Sequence, residues 1–197
     1  MQFRLTYEGP LLGDQSNKPR TRHKHDIRRQ FHGQLKHLWA SHRWLREGRI
    51  INPHNLSDPD NQIPMLETLT KRYCMFGYRF VPLVRRDLSL ICAAEILFLR
   101  REVPGGVIRS GDMDNRIKTL FDALRMPHGG ELPSGEQPQD GEDPFFVLLE
   151  DDSLITSVNI TTDRLLTPLR PDEHIHEVVL IIKVESIIPT PEWHVIY

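Results

Sequence analysis

Apolar and polar residues alternate along several stretches of the chain, and this alternation predicts β-strands. The predicted strands are residues 2–7, 73–84, 88–100, 154–162 and 178–184. The last of these is apolar almost throughout, which indicates a buried strand. A short apolar run at residues 145–149 leads into an acidic triplet.

Two further stretches carry apolar residues at spacings of three, four and seven, which predicts amphipathic helices. The first is residues 23–47, whose opposite face is basic. The second is residues 114–125, whose apolar stripe consists of Ile117, Leu120, Phe121 and Leu124. Together with the strands, these helices predict an α/β fold of the α+β type, with a single mixed sheet of about four to five strands and packed helices.

The remaining segments predict how the chain is organised. We expect one domain over residues 1–197 that contains a basic helix and linker appendage at residues 18–64. Proline, Asn and Asp interrupt residues 48–64 three times, as is typical of a linker. Residues 127–148 are poor in apolar side chains and rich in Gly, Pro, Glu and Asp, which predicts a flexible acidic insertion.

The composition excludes several classes of protein. Of the 197 residues, 39% are hydrophobic and 26% are charged, a balance typical of a globular protein that folds without disulfides or a structural metal. The longest apolar stretch, residues 88–99, is too short to cross a bilayer, and the N-terminus has no apolar signal sequence. Cys74 and Cys92 match no zinc-ligand spacing. We therefore expect a cytoplasmic protein without a membrane partner.

The net charge of −2 conceals opposite charges in two parts of the chain. Residues 1–50 contain 11 Lys and Arg against 4 Asp and Glu, whereas residues 127–163 contain nine acidic residues and no basic one. The basic part suits contact with phosphates, and the acidic part suits divalent cations or the exclusion of nucleic acid. The two parts equally suit mutual neutralisation or exposure to solvent.

A dense group of charged side chains leads into the second predicted helix. Asp112 and Asp114 are two residues apart, so in an extended segment both carboxylates point the same way. Lys118 lies one turn after Asp114, and Asp122 one turn further, where it can hold the lysine in place. Carboxylates beside a lysine suit a hard cation such as Mg²⁺ bound together with a phosphate. Taken alone, the segment also suits an N-capping aspartate followed by a charged surface ladder.

A second acidic group, Glu150-Asp151-Asp152, follows the apolar run and precedes a predicted strand. At the edge of a sheet these carboxylates can reach the first group. They also suit a polar turn between two strands. The combination of both groups is more specific than either group alone.

Both groups together resemble the RusA-like Holliday junction resolvases, a family of metal-dependent endonucleases. The resemblance is carried by Asp112, Asp114, Asn115, Lys118, the Phe121-Asp122-Ala123-Leu124 block, Asp151, Asp152 and Ile155. It is dense over residues 109–125 and 149–156. Between these two regions, 26 residues from Arg125 to Glu150 replace the brief connection usual in the family.

The resemblance implies a function and a set of site residues. It implies a homodimer that hydrolyses phosphodiester bonds of branched DNA in recombination and repair, with Mg²⁺ as cofactor and Mn²⁺ as a substitute. The metal would be held by Asp112, Asp114 and Asp152, with Asp151 as a neighbouring carboxylate. Lys118 would contact the scissile phosphate, with Asn115 and Asp122 as supporting residues.

Basic residues in the N-terminal third and around the first acidic group are the predicted contacts to DNA phosphates. They are Arg20, Arg22, Lys24, Arg28, Arg29, Arg109 and Arg116. The alternative function is a non-catalytic nucleic-acid-binding or assembly subunit that keeps the RusA-like scaffold. Such a subunit would act through a protein partner, and the acidic insertion would be a contact surface for it.

Three further residues allow more than one interpretation. Trp39 and Trp44 lie among Arg and His, so each suits either stacking on a nucleotide base or anchoring the helix in the core. Glu95 interrupts an apolar strand and suits a subunit interface, an ion pair or the metal site.

Overall fold

The computed structural model describes residues 1–13, 20–51, 62–101, 112–166 and 176–188, apart from the side chains of residues 51 and 112. The helices in these ranges are α1 (Thr21–Ser41), α2 (Arg43–Arg46), α3 (Met65–Arg72) and α4 (Asp112–Leu124). The strands are β1 (Gln2–Pro10), β2 (Arg49–Ile51), β3 (Gln62–Pro64), β4 (Cys74–Met75), β5 (Tyr78–Val84), β6 (Ile91–Arg100), β7 (Phe145–Leu149), β8 (Ile155–Arg164) and β9 (Glu177–Ile187). Two short 3-10 turns span Arg86–Leu88 and Asp152–Leu154.

The largest sheet has four strands in the order β1-β9-β6-β8. Strand β9 is antiparallel to both β1 and β6, whereas β8 runs parallel to β6. A parallel return requires a long crossover, and here the crossover contains α4 and β7. The unit β6-α4-β8 therefore positions both acidic groups recognised in the sequence.

One face of this sheet is buried and the other is open to solvent. Along β6, Ala94, Ile96 and Phe98 are buried, while Glu95 between them is exposed. The alternation arises because successive side chains of a strand point to opposite faces. On the open face Glu95 accepts a hydrogen bond from Lys183 at 3.0 Å, so of the three roles considered for Glu95 the structure has the ion pair.

Helix α1 crosses the buried side and contacts β1, β7 and α4. Its buried residues Phe31, Leu35 and Trp39 recur every four positions, which turns one face of the helix inward. The helix ends at Ser41 because His42 is extended, with φ −86° and ψ 113°. Trp39 is 3% exposed and is therefore a core anchor, whereas Trp44 beyond the break is 80% exposed.

Two smaller sheets complete the fold. Strand β5 pairs with β4 and, in parallel, with β7, and β2 pairs with β3. The prediction of an α+β fold with a mixed sheet is confirmed. In place of the predicted single sheet, the described strands form three sheets. No helix in the described ranges is both long and apolar enough to cross a membrane.

His25, a buried residue of α1, lies among aromatic rings. Its ring centroid is 5.6 Å from that of Tyr78 and 5.8 Å from that of Phe145. Its Nδ1 lies 3.5 Å from Nη1 of Arg28, and its Nε2 lies 3.3 Å from the hydroxyl of Tyr78. Burial, together with the positive charge of Arg28, lowers the pKa of His25 from 6.5 to about 4.

We expect the free energy of unfolding to decrease as the pH is lowered from 7 to 5. In this range the unfolded chain binds a proton at His25 and the folded protein does not, which costs about 2 kcal/mol of stability at pH 5. Urea unfolding at both pH values measures the effect. His25→Gln should reduce the pH dependence, and His37→Gln, at an exposed site on the same helix, should leave it unchanged. An unchanged pH dependence in His25→Gln would contradict the prediction.

Candidate active site

The first half of α4 presents Asp114 and Lys118 to solvent, one helical turn apart. The helix adopts this orientation because Met113, Ile117 and Leu120 are buried on its other side. Neither Asp114 nor Lys118 forms a hydrogen bond or ion pair with another residue of the described ranges. Both side chains are therefore accessible to a ligand.

The backbone at the start of α4 differs from our expectation. The helix begins at Asp112, so Asp112 and Asp114 lie in its first turn instead of in an extended segment. An extended backbone is what would have aligned two carboxylates two residues apart. Asn115, predicted as a supporting residue, is partly buried, and its main-chain oxygen accepts a hydrogen bond from Thr119 Oγ1 at 3.0 Å.

Asp122 does not hold Lys118, and this prediction is wrong. Asp122 is 5% exposed, and its carboxylate binds Lys24 Nζ at 2.9 Å and Arg125 Nη2 at 2.8 Å. Its main-chain oxygen accepts a hydrogen bond from Arg28 Nη2 at 2.8 Å. The buried face of α4 carries Asp122 toward α1, because α1 packs against α4. Asp122 is therefore the centre of a buried ionic cluster between the two helices.

Asp151 and Asp152 lie just before β8. Asp151 caps the 3-10 turn by accepting hydrogen bonds from the main-chain N–H of Ser153, at 3.0 Å, and from its hydroxyl. The hydroxyl of Ser153 is the largest influence that lowers the pKa of Asp151, and Arg86 at 3.2 Å adds to it. The side chain of Asp152 is about half exposed, with Oδ2 3.7 Å from Arg125 Nε.

Asp114 and Asp152 lie near opposite ends of α4. Asp152 contacts Arg125, which follows the last helical residue and forms a parallel bridge with Leu149. The helical rise from Asp114 to Arg125 is about 16 Å. Oxygen ligands of one Mg²⁺ ion lie within about 4 Å of each other, which this separation does not allow.

The positions of the two acidic groups at the ends of the four-stranded sheet also show that Asp114 and Asp152 are far apart. Arg116, in the first half of α4, lies 3.0 Å from His176, which precedes β9 at the end of the sheet where β6 finishes. Asp152 instead precedes β8 at the end where β6 begins. Within the described side chains, no three His, Cys, Asp or Glu residues form a group that could hold a metal ion. Asp114 and Asp152 therefore do not converge within one chain, and the side chain of Asp112 lies outside the described part of the structure.

Arg28 and Arg116, two of the predicted DNA contacts, are each 1% exposed. Arg28 donates hydrogen bonds to the main-chain oxygens of Asp122 and Arg125, at 2.8 and 3.2 Å. Since a DNA backbone reaches only surface groups, the prediction for these two residues is wrong. The guanidinium group of Arg28 binds main-chain acceptors in the interior instead, and Nη2 of Arg116 lies 3.0 Å from Nδ1 of His176.

The acidic insertion neutralises part of the basic helix. Glu136 binds Arg22 and Arg29, each at 2.7 Å, and Glu142 binds Arg29 at 2.6 Å. Although burial alone would raise the pKa of Glu142, the hydrogen bond from Arg29 lowers it below its usual value. The insertion is therefore packed against α1, in contrast to the flexible segment that we predicted. Of the two interpretations of the charge asymmetry, the observed contacts correspond to mutual neutralisation.

The remaining predicted DNA contacts are placed as follows. Lys24 is bound to Asp122, as described above. Arg20 immediately precedes α1 and is partly exposed. Arg109 lies outside the described residues.

Arg125 is an important residue that the sequence interpretation missed. It is 4% exposed and binds both Asp122 and Glu131 at 2.8 Å. Burial alone would lower the pKa of Arg125, but its hydrogen bond with Glu131 contributes to a net increase. The available signal was its position three residues after Asp122, a spacing at which helical side chains interact.

Comparisons with protein-family models, curated proteins and solved structures find no match to this chain. The function is therefore inferred from the residues and their geometry.

Proposed function

We propose that this protein is a cytoplasmic, metal-dependent endonuclease of the RusA-like kind that cleaves branched DNA in recombination and repair. The observation that carries the proposal is the pair formed by Asp114 and Lys118, which lie one turn apart on α4, are exposed and have no partner among the described residues. An acidic and a basic group side by side suit a hydrated cation and a phosphate oxygen, respectively. The motif around this pair, with the aspartates before β8, is the source of the resemblance.

The geometry limits which of the predicted metal ligands can bind the same ion. Hard carboxylate oxygens are the ligands that Mg²⁺ prefers, and Asp114 and Asp152 are both accessible. Their separation along α4 means that Asp112, Asp114 and Asp152 of one chain do not fit one ion. We therefore assign no metal-bound step to the single chain.

A homodimer formed through β8 would resolve this separation. Strand β8 is at one edge of the four-stranded sheet, and within the described ranges no strand pairs with its outer side. The other edge is blocked, because Gln34 bonds to both the N–H and the C=O of Thr6 in β1, at 2.9 and 2.7 Å. An uncovered edge strand favours pairing with another strand. Val158, 42% exposed on β8, adds an apolar side chain to this surface.

Such a dimer would bring the two acidic groups to the same end of a joined sheet. Two copies of β8 related by a two-fold axis pair antiparallel, so the start of one strand lies beside the end of the other. Asp152 precedes the start of β8, and the first turn of α4 lies at the end where β8 finishes. Asp152 of one copy would then lie on the side of Asp112 and Asp114 of the second copy.

A non-catalytic nucleic-acid-binding or assembly subunit is the second candidate function. The observation that favours it is the same separation of Asp114 from Asp152, because an isolated chain does not assemble the expected ligand set. The acidic insertion, with exposed residues such as Asp140, would provide the surface for a protein partner.

Cleavage of a labelled four-way DNA junction tests the proposal, with a linear duplex of the same sequence as substrate control. We expect nicking of the junction with Mg²⁺ and none with EDTA. Asp114→Asn should reduce the rate at least about 100-fold, since charged groups in an active site typically contribute this much. Asp140→Asn, which removes an exposed carboxylate in the insertion, should leave the rate unchanged.

Two other outcomes of this experiment would change the proposed function. Equal cutting of the junction and the duplex would keep the endonuclease and remove its selectivity for branched DNA. Binding of the junction without cleavage, by folded protein with Mg²⁺ or Mn²⁺ present, would overturn the proposal in favour of the binding subunit.

A further inference from the structure

The most exposed aromatic ring in the described part of the chain is that of Trp44, on the short helix α2. The helix is fixed to the end of α1, because Leu45 and Arg46 both donate their main-chain N–H to the oxygen of His42 at 3.0 Å. Leu45 packs against the core, which turns the neighbouring Trp44 outward. The indole is thus held on an ordered helical turn although 80% of the residue remains exposed.

Trp44 stands between two grooves. The larger has a volume of about 570 Å³ and an apolar lining that includes Ile50, Leu88 and Leu90. The smaller, of about 450 Å³, is lined by polar and charged groups that include Arg43 and Arg49. A planar group that stacks on the indole would therefore have both apolar side chains and arginines beside it, because Arg49 lines both grooves.

The surroundings of Trp44 carry an excess of positive charge. Four exposed arginines lie on α2 or line the two grooves, and they are Arg43, Arg46, Arg49 and Arg72. Arg85 also lines the larger groove, but it is only 1% exposed. Among the described residues on α2 or lining the grooves, two carboxylates accompany them. Glu47 is shared by Arg43 and Arg46, and Asp87 by Arg72 and Arg85. The excess suits a polyanion.

The position of this excess contrasts with the first half of α1. There Arg22 and Arg29 are bound by the acidic insertion and Arg28 is buried. Near α2, Arg43 and Arg46 keep side-chain exposures of 85% and 56% even though they contact Glu47. Arg22 likewise remains 60% exposed, so the contrast holds for Arg28 and Arg29, and the arginines around Trp44 offer more exposed charge to an external phosphate than these two do.

We propose that Trp44 and its arginines form a stacking platform for single-stranded or unpaired nucleotides. An indole stacks on any base, and neighbouring guanidinium groups bind the backbone phosphates, so such a platform favours unpaired strands without reading sequence. The platform uses none of the carboxylates of the proposed endonuclease. It is therefore a separate binding surface, and its test is independent of cleavage.

The experiment is the titration of a fluorescein-labelled oligo(dT) strand with the full chain in EDTA, followed by anisotropy. Trp44→Ala should weaken binding about tenfold or more, the loss typical of one stacked base. Trp44→Phe should keep the affinity within about threefold, because the ring face is preserved. Leu166→Ala, at an apolar position 83% exposed after β8, is the matched control and should bind like the wild type.

Three results would overturn the platform. One is the absence of oligo(dT) binding by the wild type, which would leave the grooves to a protein partner. Another is unchanged affinity in Trp44→Ala, which would mean that the strand is held by phosphate contacts elsewhere. The third is an equal loss in Trp44→Ala and Trp44→Phe, because a stacking role predicts that phenylalanine retains binding.

Discussion

A mixture of Asp114→Asn chains and Asp152→Asn chains is expected to regain nicking activity that neither variant has alone. In a dimer formed through β8, each acidic site would take Asp114 from one copy and Asp152 from the other. A mixed dimer then contains one site with both substitutions and one site with neither. After random exchange of subunits, about one quarter of all sites would carry neither substitution.

The measurement is nicking of the four-way junction by the two variants, refolded separately and together. If one chain supplied the complete site, every site in a mixed dimer would carry a substitution and no activity would return. Val158→Lys introduced into both chains is the control, because a lysine on an edge strand opposes pairing with another strand. It should abolish both the recovery and the dimer detected by light scattering. Recovery that persists in monomeric Val158→Lys chains would contradict the β8 interface.

Asp122→Asn is expected to lower the free energy of unfolding by about 3 kcal/mol, because breaking a buried ion pair leaves an uncompensated charge. Asp122 is 5% exposed and neutralises Lys24 and Arg125, whose side chains are only 13% and 5% exposed. In the variant Arg125 keeps its pair with Glu131, while Lys24 and Arg125 both lose their ion pair with the carboxylate of Asp122.

Chemical unfolding of the wild type and of Asp122→Asn measures this loss. The double variant Lys24→Met/Asp122→Asn should lose less stability than the sum of the two single losses, because the two side chains are in contact. Asp140→Asn, at an exposed position, should change stability by less than about 0.5 kcal/mol. A loss below about 1 kcal/mol in Asp122→Asn would show that the cluster is hydrated and that burial does not set its energy.

The contacts of the acidic insertion also change how the charge distribution along the chain is interpreted. The acidic insertion and the basic helix were expected either to bind external partners or to neutralise each other. The contacts of Glu136 and Glu142 with Arg29 correspond to the second possibility. Because these pairs occupy the first half of α1, a phosphate backbone would find more accessible charge near Arg43 and Arg46.

The elements and the fold class follow from local patterns in the sequence. Periods of two and of three to four residues are properties of local backbone geometry, so β6, β8, β9 and α4 were predicted within a few residues of their observed bounds. The first helix was predicted to end at residue 47, whereas α1 ends at Ser41. The same periodicity indicated which face of α4 is buried, and hence that Asp114 and Lys118 are exposed. Helix α3 and the pair β2-β3 were missed, because they are short and lie beside an interrupted segment.

Which charged groups lie in contact depends on the tertiary structure. Asp112, Asp114 and Asp152 form one pattern in the sequence, but the parallel return from β6 to β8 puts the aspartates before β8 at the far end of α4 from Asp114. Trp39 and Trp44 have similar neighbours in the sequence, yet the break at His42 buries one ring and exposes the other. In both cases the outcome depends on chain direction and packing between distant segments. Local spacing predicts which side of a helix or strand a residue occupies. It does not predict where the next helix or strand packs.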